Sequence, residues 1–241
     1  KGVTAEAKKR FNDFARNRLA GYENNSNQPQ TDGVSHMSPY LHFGQISPVY
    51  LALEAESAGQ VSKPAKDAYI EALVVRRELA VNFVHYTQNY DSYAAVPAWA
   101  RKTLKDHVKD PREHAYPLTA LESAGTHDKY WNAAMNEMVH TGFMHNHMRM
   151  YWAKKILQWS DDPETAYETA LYLNNKYFLD GRDPNSYAGV AWSFGLHDRP
   201  WKERDIFGKV RYMAASGLER KCDIHAYVKK IEKIVKMEKE G

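Results

Sequence analysis

Residues 143–159 read FMHNHMRMYWAKKILQW, and this stretch decides the fold class. Met144 to Trp159 keeps one helical pattern throughout. Trp152 and Trp159 stand seven residues apart, two helical turns, so they share a face. A core stripe would account for these two rings. The same helix carries a polar set, His145, Asn146 and Arg149. The arginine is harder to place, because a guanidinium buried beside such rings is costly without a carboxylate. Asp180 and Asp183, in LNNKYFLDGRDPN (173–185), are the downstream candidates. His145-Asn146-His147 spells an HNH triplet, but it lies within a helix and not in the hairpin that nuclease chemistry of that pattern needs. No metal is assigned to it.

Outward from this helix the chain keeps the same period. Thr4 to Tyr22, Ser47-Pro48 to Ala58, Lys63-Pro64 to about Tyr86, Pro97 to His107, Asp128 to Thr141, Asp162 to Leu179 and His225 to Lys239 all read as helices. Ser47 followed by Pro48 is a helix start, with a hydroxyl cap and a proline in the first turn. The last helix carries Lys229, Lys230, Lys233, Lys236 and Lys239, which read as a solvated face. No segment alternates as a strand would, and no repeat or linker-like stretch divides the chain. The expectation is one all-α domain over residues 1–241, with long ordered loops at 23–46, 87–96 and 180–209.

Composition narrows the class. Of 241 residues, 33 are Lys or Arg and 30 are Asp or Glu, a net charge of 33 − 30 = +3. That excess permits a nucleic-acid partner without requiring one. A hydrophobic content of 43% is too high for a disordered chain. Mean hydropathy is −0.68, and no apolar run approaches the roughly 18 residues of a membrane span. The one cysteine, Cys222, excludes an intrachain disulfide framework and a multi-cysteine zinc site. A reducing, intracellular compartment is expected, prokaryotic cytoplasm or eukaryotic nucleus. No apolar stretch follows Lys1-Gly2-Val3, so no signal peptide is expected. The Gly-rich phosphate loops GxGxxG and GxxxxGK[ST] are missing, as are HExxH and the GxSxG elbow.

Two further segments carry chemistry. SHMSPYLHFG (35–44) places the hydroxyls of Ser35 and Ser38 three apart just after a polar loop, where they could face a phosphate or simply close a turn. Segment 185–221 interleaves Trp192, Phe194, Trp201, Phe207 and Tyr212 with Arg199, Lys202, Arg204, Lys209, Arg211, Arg220 and Lys221. Rings alternating with cations suit a surface that stacks a base and grips phosphates. Asp198, Glu203 and Asp205 dilute the charge.

Taken together, SPYLHFGQIS (38–47), VVRRELAVNFVHY (74–86), WARKTLKDH (99–107), MRMYWAKKIL (148–157), DGRDPNSYAGVAW (180–192) and GLHDRPWKERDIFGKVRYM (195–213) resemble the flavin-binding catalytic domain of class II cyclobutane pyrimidine dimer photolyases. The resemblance spans roughly residues 10 to 228. It implies a helical domain that holds FAD and uses light to pass an electron to a pyrimidine dimer flipped out of double-stranded DNA, acting as a monomer. Tyr22, Ser35, His36, Met37 and Ser38 then resemble diphosphate and ribose contacts, with Asn146, Gly181 and Asn185 also at the cofactor. Asn174 resembles the asparagine that faces flavin N5, and Arg149 with Asp180 the ion pair beside the flavin ring. Trp152, Trp131 and Trp159 resemble a relay that photoreduces the flavin. Glu71, Met150, Trp192 and Trp201 resemble dimer contacts, and Arg199, Lys202, Lys209 and Arg211 the DNA grip.

The chain departs from the family in two ways. The N-terminal α/β antenna domain of the family is absent from these residues. The family's two adjacent carboxylates read here as Glu71-Ala72, so Ala72 stands where a dimer contact is expected, and Glu71 substitutes for it only if the helix rotates or its side chain reaches round. A cryptochrome-like flavin photoreceptor with weak or no repair is the alternative on the same fold.

Overall fold

The computed structural model describes residues 2–240, without the side chain of Lys239; the Lys239 part of the expected lysine face lies outside the described residues. The elements are α1 (Thr4–Asn17), a 3-10 turn (Leu19–Gly21), α2 (Tyr22–Asn25), α3 (Ser38–His42), α4 (Pro48–Ser57), α5 (Lys63–Ile70), a π-turn (Glu71–Arg76), α6 (Arg77–Tyr86), a 3-10 turn (Tyr93–Ala95), α7 (Ala98–Asp106), α8 (Leu118–Glu122), α9 (Lys129–Thr141), α10 (Asn146–Trp159), α11 (Pro163–Tyr177), α12 (Pro184–Ser193), α13 (Ala215–Lys221) and α14 (Ile224–Glu240). Among the described residues the only β-type pairing is an isolated bridge, Arg204 to Gly208. No described helix is long and apolar enough to cross a membrane.

Local chemistry sets the starts. Asp128 Oδ1 accepts the N–H groups of Tyr130 and Trp131 at 3.0 and 3.1 Å, opening α9. Asp162 Oδ2 accepts Thr165 N–H at 2.8 Å, opening α11. Caps of this kind are worth about 1 kcal/mol each.

The helices enclose two cores. A smaller one holds Phe11, Phe14, Leu19, Met37, Leu51 and Tyr69; a larger one is built on α9, α10, α11, α12 and α14 and holds Trp131, Trp152, Tyr167 and Phe194. The rod from Lys63 to Tyr86 serves both. Tyr69 lies in the smaller core and Ala80 in the larger. In an unbroken α-helix, residues eleven apart share a face. The π-turn adds one residue, rotating the downstream part of the rod by about 100°. It also brings Glu71 and Arg76, five apart, into an ion pair at 3.1 Å.

Four expectations need correction. The 180–209 segment is not all loop: Pro184–Ser193 is helical, started by Asp183 Oδ1 accepting Asn185 N–H at 3.0 Å. Its asparagine, glycine and valine are weak helix formers, and packing against α6 and α11 holds it. The 23–46 segment contains the last residues of α2 and all of α3. The first helix stops at Asn17, where Arg18 leaves the helical conformation (φ −133°) and turns its guanidinium to Asp13 and Asp32. The rod through Tyr86 carries the π-turn. Segment 26–42 bridges the cores: Gln28 Nε2 donates to Lys221 O at 3.2 Å, and Lys230 Nζ donates to Pro29 O and Thr31 O at 3.4 and 3.3 Å.

Candidate functional site

On α10, Arg149 Nη2 donates to both Asp180 oxygens, at 3.0 and 3.1 Å. Its Nε donates to Met144 O at 3.0 Å, and the guanidinium lies 3.8 Å over the Phe178 ring. Side-chain exposure is 23% for Arg149 and 11% for Asp180. Asp183, the other candidate, instead meets His42 Nδ1 at 3.3 Å. The turn that presents Asp180 is fixed by its neighbours. Ser186 Oγ donates to Asp180 O at 3.0 Å. At Gly181 a Cβ would lie 3.0 Å from the carbonyl oxygens of Asn174 and Phe178, so a larger residue would push this turn outward by a few tenths of an ångström. Asn174, on the last turn of α11, is buried and donates to Asn175 Oδ1 at 3.0 Å.

Three buried rings run away from this pair. Trp152, three residues from Arg149 and on the same face, stacks nearly parallel to Trp131 (6.4 Å between centroids, 11°). Trp131 Nε1 donates to Trp152 O at 3.0 Å. Trp159 meets Trp131 edge-on at 5.4 Å. The column therefore runs Trp152, Trp131, Trp159, with the middle ring supplied by α9. Trp152 Nε1 is buried and has no hydrogen-bond partner among the described residues.

The other expected cofactor residues line the bridging segment and the helix starts. Tyr22 is half-buried, edge-on to Phe14 and Tyr69. Ser35 and His36 are half-buried; His36 takes a left-handed backbone (φ +55°), with its ring 4.6 Å from Phe143 of the larger half and its Nε2 2.5 Å from Asp32. Met37 is buried in the smaller core. Ser38 and Asn146 are exposed first residues of α3 and α10, and Asn185 Nδ2 donates to Asp183 Oδ1 at 2.9 Å. Contacts across His36–Phe143 and His42–Asp183 thus bring the 35–42 segment against the starts of α10 and α12.

The expected substrate residues are more open. Glu71 is exposed and engaged by Arg76. The Ser193 hydroxyl donates to Met150 Sδ at 3.5 Å, and Trp192 is half-buried, edge-on to His197 at 5.6 Å. Trp201 is 44% exposed; its Nε1 donates to Asp198 at 3.1 Å, and Arg211 lies 5.1 Å over its ring. Arg199, Lys202 and Lys209 are exposed on the same segment.

Sequence reasoning missed two supports. His107 stands between Asp110 (2.5 Å) and Glu203 (3.2 Å), and Asp110 also accepts Ile206 N–H at 2.8 Å, tying the 195–213 segment to α7. Hydrogen bonds donated to these carboxylates hold the imidazole's pKa above its ordinary value. Lys154, fully buried, donates to Ser193 O at 2.6 Å and closes the end of α12; burial pushes its amine down to about 7. A lysine pair inside an apolar helix was the available signal.

No protein-family model matches the chain. It is 57% identical over 231 residues to a deoxyribodipyrimidine photo-lyase of Methanothermobacter thermautotrophicus, covering 96% of this chain and 51% of that protein. A bacterial class III photolyase from Agrobacterium tumefaciens superposes with a TM-score of 0.72 at 18% identity, over 95% of this chain and 44% of that one. A Synechocystis cryptochrome gives 0.64 at 17% identity, over 97% and 56%. The chain spans about half the length of the curated relatives it matches. With the all-helical architecture and the sequence match pointing the same way, the chain belongs to the photolyase/cryptochrome family, as its C-terminal helical domain.

Proposed function

We propose that this chain is the cofactor- and DNA-binding part of a class II photolyase that repairs cyclobutane pyrimidine dimers in double-stranded DNA, using FAD and light. The observation that carries the reading is on α10: one face holds a paired arginine and, three residues on, the inner end of a buried tryptophan column. A core needs neither the ion pair nor an unpartnered indole N–H.

The residues fit the cofactor. Buried polar groups are normally partnered, so the Trp152 N–H, which has no partner among the described residues, suits a polar ligand. Ser35, Ser38, Asn146 and Asn185 supply donors for a diphosphate and ribose, with Tyr22 alongside. FAD, when bound, supplies the light-driven one-electron chemistry. Arg149, held by Asp180 and backed by Gly181, places a fixed cation that favours an anionic ring. Asn174 offers an amide to the same face. Trp152, Trp131 and Trp159 conduct an electron inward from the surface side. Met150, Trp192 and Trp201 would replace the stacking a flipped dimer loses. Arg199, Lys202, Lys209 and Arg211 hold the surrounding phosphates. The π-turn supports a role for Glu71, since it rotates the helix at the place where Ala72 leaves a carboxylate missing.

The test is a duplex carrying one dimer, incubated with the purified, flavin-loaded protein in blue light and in darkness. Light-dependent restoration of the two pyrimidines is expected. A protein that carries flavin and photoreduces but leaves the dimer intact is a photoreceptor instead, the reading that Ala72 favours. A protein without flavin absorption defeats both.

A further inference from the structure

The ring column does not stop at Trp159. That residue is only 4% exposed, so a relay ending there would end inside the protein. Two more rings lie against it, from the loops on either side of α8. Tyr116 meets it edge-on at 5.2 Å, and His127 lies at 5.5 Å. Tyr116 is half-buried and His127 exposed. The path Trp152, Trp131, Trp159, Tyr116 therefore leads from the core to solvent.

The hydrogen bonding at the outer end is directional. The Tyr116 hydroxyl lies 2.6 Å from His127 Nδ1, and the backbone N–H of His127 donates to the same hydroxyl oxygen at 3.0 Å. A phenol has one proton to give. With its oxygen already accepting, that proton is directed at Nδ1. His114 stacks on the imidazole at 3.7 Å and holds its plane.

We propose that Tyr116 is the outermost electron donor of the relay and that His127 takes its phenolic proton as the electron leaves. This rests on the relay reading given under Proposed function. In the step, a Trp159 radical cation receives one electron from Tyr116. The phenolic O–H bond breaks and an N–H bond forms at His127 Nδ1. The products are neutral Trp159, a neutral tyrosyl radical and an imidazolium. An external thiolate then returns one electron, becoming a thiyl radical, and the proton goes back from Nδ1 to the phenolic oxygen.

The imidazole is suited to this. The groups facing it are His114 and Glu113 from the preceding loop, Asp128 beside it in the chain and Lys155 from α10. Burial, then His114, outweigh the two carboxylates and lower its pKa below the ordinary histidine value. It is therefore neutral near pH 7 and free to accept. Acidification through its pKa removes the acceptor.

Flash photolysis of the flavin-loaded protein, read at the tryptophan and tyrosyl radical bands, tests the proposal. In the parent, the tryptophan radical should give way to a tyrosyl radical, and this conversion should be lost at acid pH. Tyr116→Phe should keep the tryptophan radical and lose the tyrosyl signal. His127→Asn should slow the conversion and abolish its pH dependence. A readout without flavin or light is the NMR titration of His127, whose pKa should rise in Tyr116→Phe because the phenol's hydrogen bond favours the neutral ring. A parent that forms a tryptophan radical but no tyrosyl radical, or a Tyr116→Phe variant that matches it, overturns the proposal and leaves the relay standing. A flavin-loaded parent with no tryptophan radical overturns both.

Discussion

Helix α10 and the 195–213 segment use the same side chains in opposite surroundings. On α10, Arg149 is held by Asp180 and the adjoining tryptophans are almost fully buried. In the 195–213 segment, Trp201 is 44% exposed and its cation, Arg211, lies over the ring, with no ion pair to a carboxylate among the described residues. The first arrangement is expensive to disturb, because a charge removed from a poorly solvated pair leaves its partner stranded. The second is inexpensive, since water already reaches both members. A fixed environment suits a cofactor whose electronics must be set in advance. An open one suits a polyanion that arrives with its own counterions.

The largest effect that could break this contrast is Arg149→Met. Asp180 would be left without its partner, at a cost of about 3 kcal/mol, toward the low end for buried pairs because water reaches part of the arginine. Urea unfolding should show a lowered midpoint, and bound flavin should fall. An unchanged midpoint would mean that α10 is no more preorganised than the exposed segment.

The middle of the scale separates stacking from charge. Loss of one base–aromatic stack is worth about 1–3 kcal/mol, so Trp192→Ala should weaken binding to dimer-containing duplex roughly tenfold or more and leave undamaged duplex almost untouched. Lys209→Gln should instead weaken both and flatten the salt dependence by about one unit. Equal effects of the two variants on the two duplexes would merge what the contrast holds apart.

The smallest effect is in the tether of the open segment. His107 has a raised pKa, chiefly through its hydrogen bond to Asp110 and then to Glu203; Asp110 has a lowered one, chiefly through the Ile206 N–H it accepts and then through His107. The His107 contribution is complete below its unfolded pKa and is lost as pH rises through the raised folded value. The Asp110 contribution is present above its unfolded pKa and is lost as pH falls through its lowered folded value. The protection factor of the Ile206 amide, the intrinsic exchange rate at each pH relative to the observed one, should therefore be highest between these limits and fall on the alkaline side. His107→Asn should remove the alkaline limb; an unaltered profile would sever the tether from the segment's order.

Legibility followed the range of the interactions. Asp128 and Asp162 cap helices two or three residues away, so their roles were readable from local pattern. The need for a carboxylate beside Arg149 was readable from the cost of burial, although its partner is 31 residues on. Trp131 came only through family resemblance, because periodicity along one helix cannot show a ring inserted from another. Helix α12 was hidden by weak propensity and revealed by packing. Lys154, which reaches a carbonyl 39 residues away, and Glu137, which accepts from Tyr227 90 residues away, had no local signature beyond a charge in an apolar run.

The π-turn at Glu71–Arg76 makes residue count itself a structural variable. Deleting any one residue there would restore regular winding and swing everything from Arg77 to Tyr86 back by about 100°. Ala80 and Phe83 would then leave the larger core while Tyr69 kept its place in the smaller. Loop insertions nearby would be absorbed by the loops, but this six-residue stretch tolerates substitution far better than a change in length.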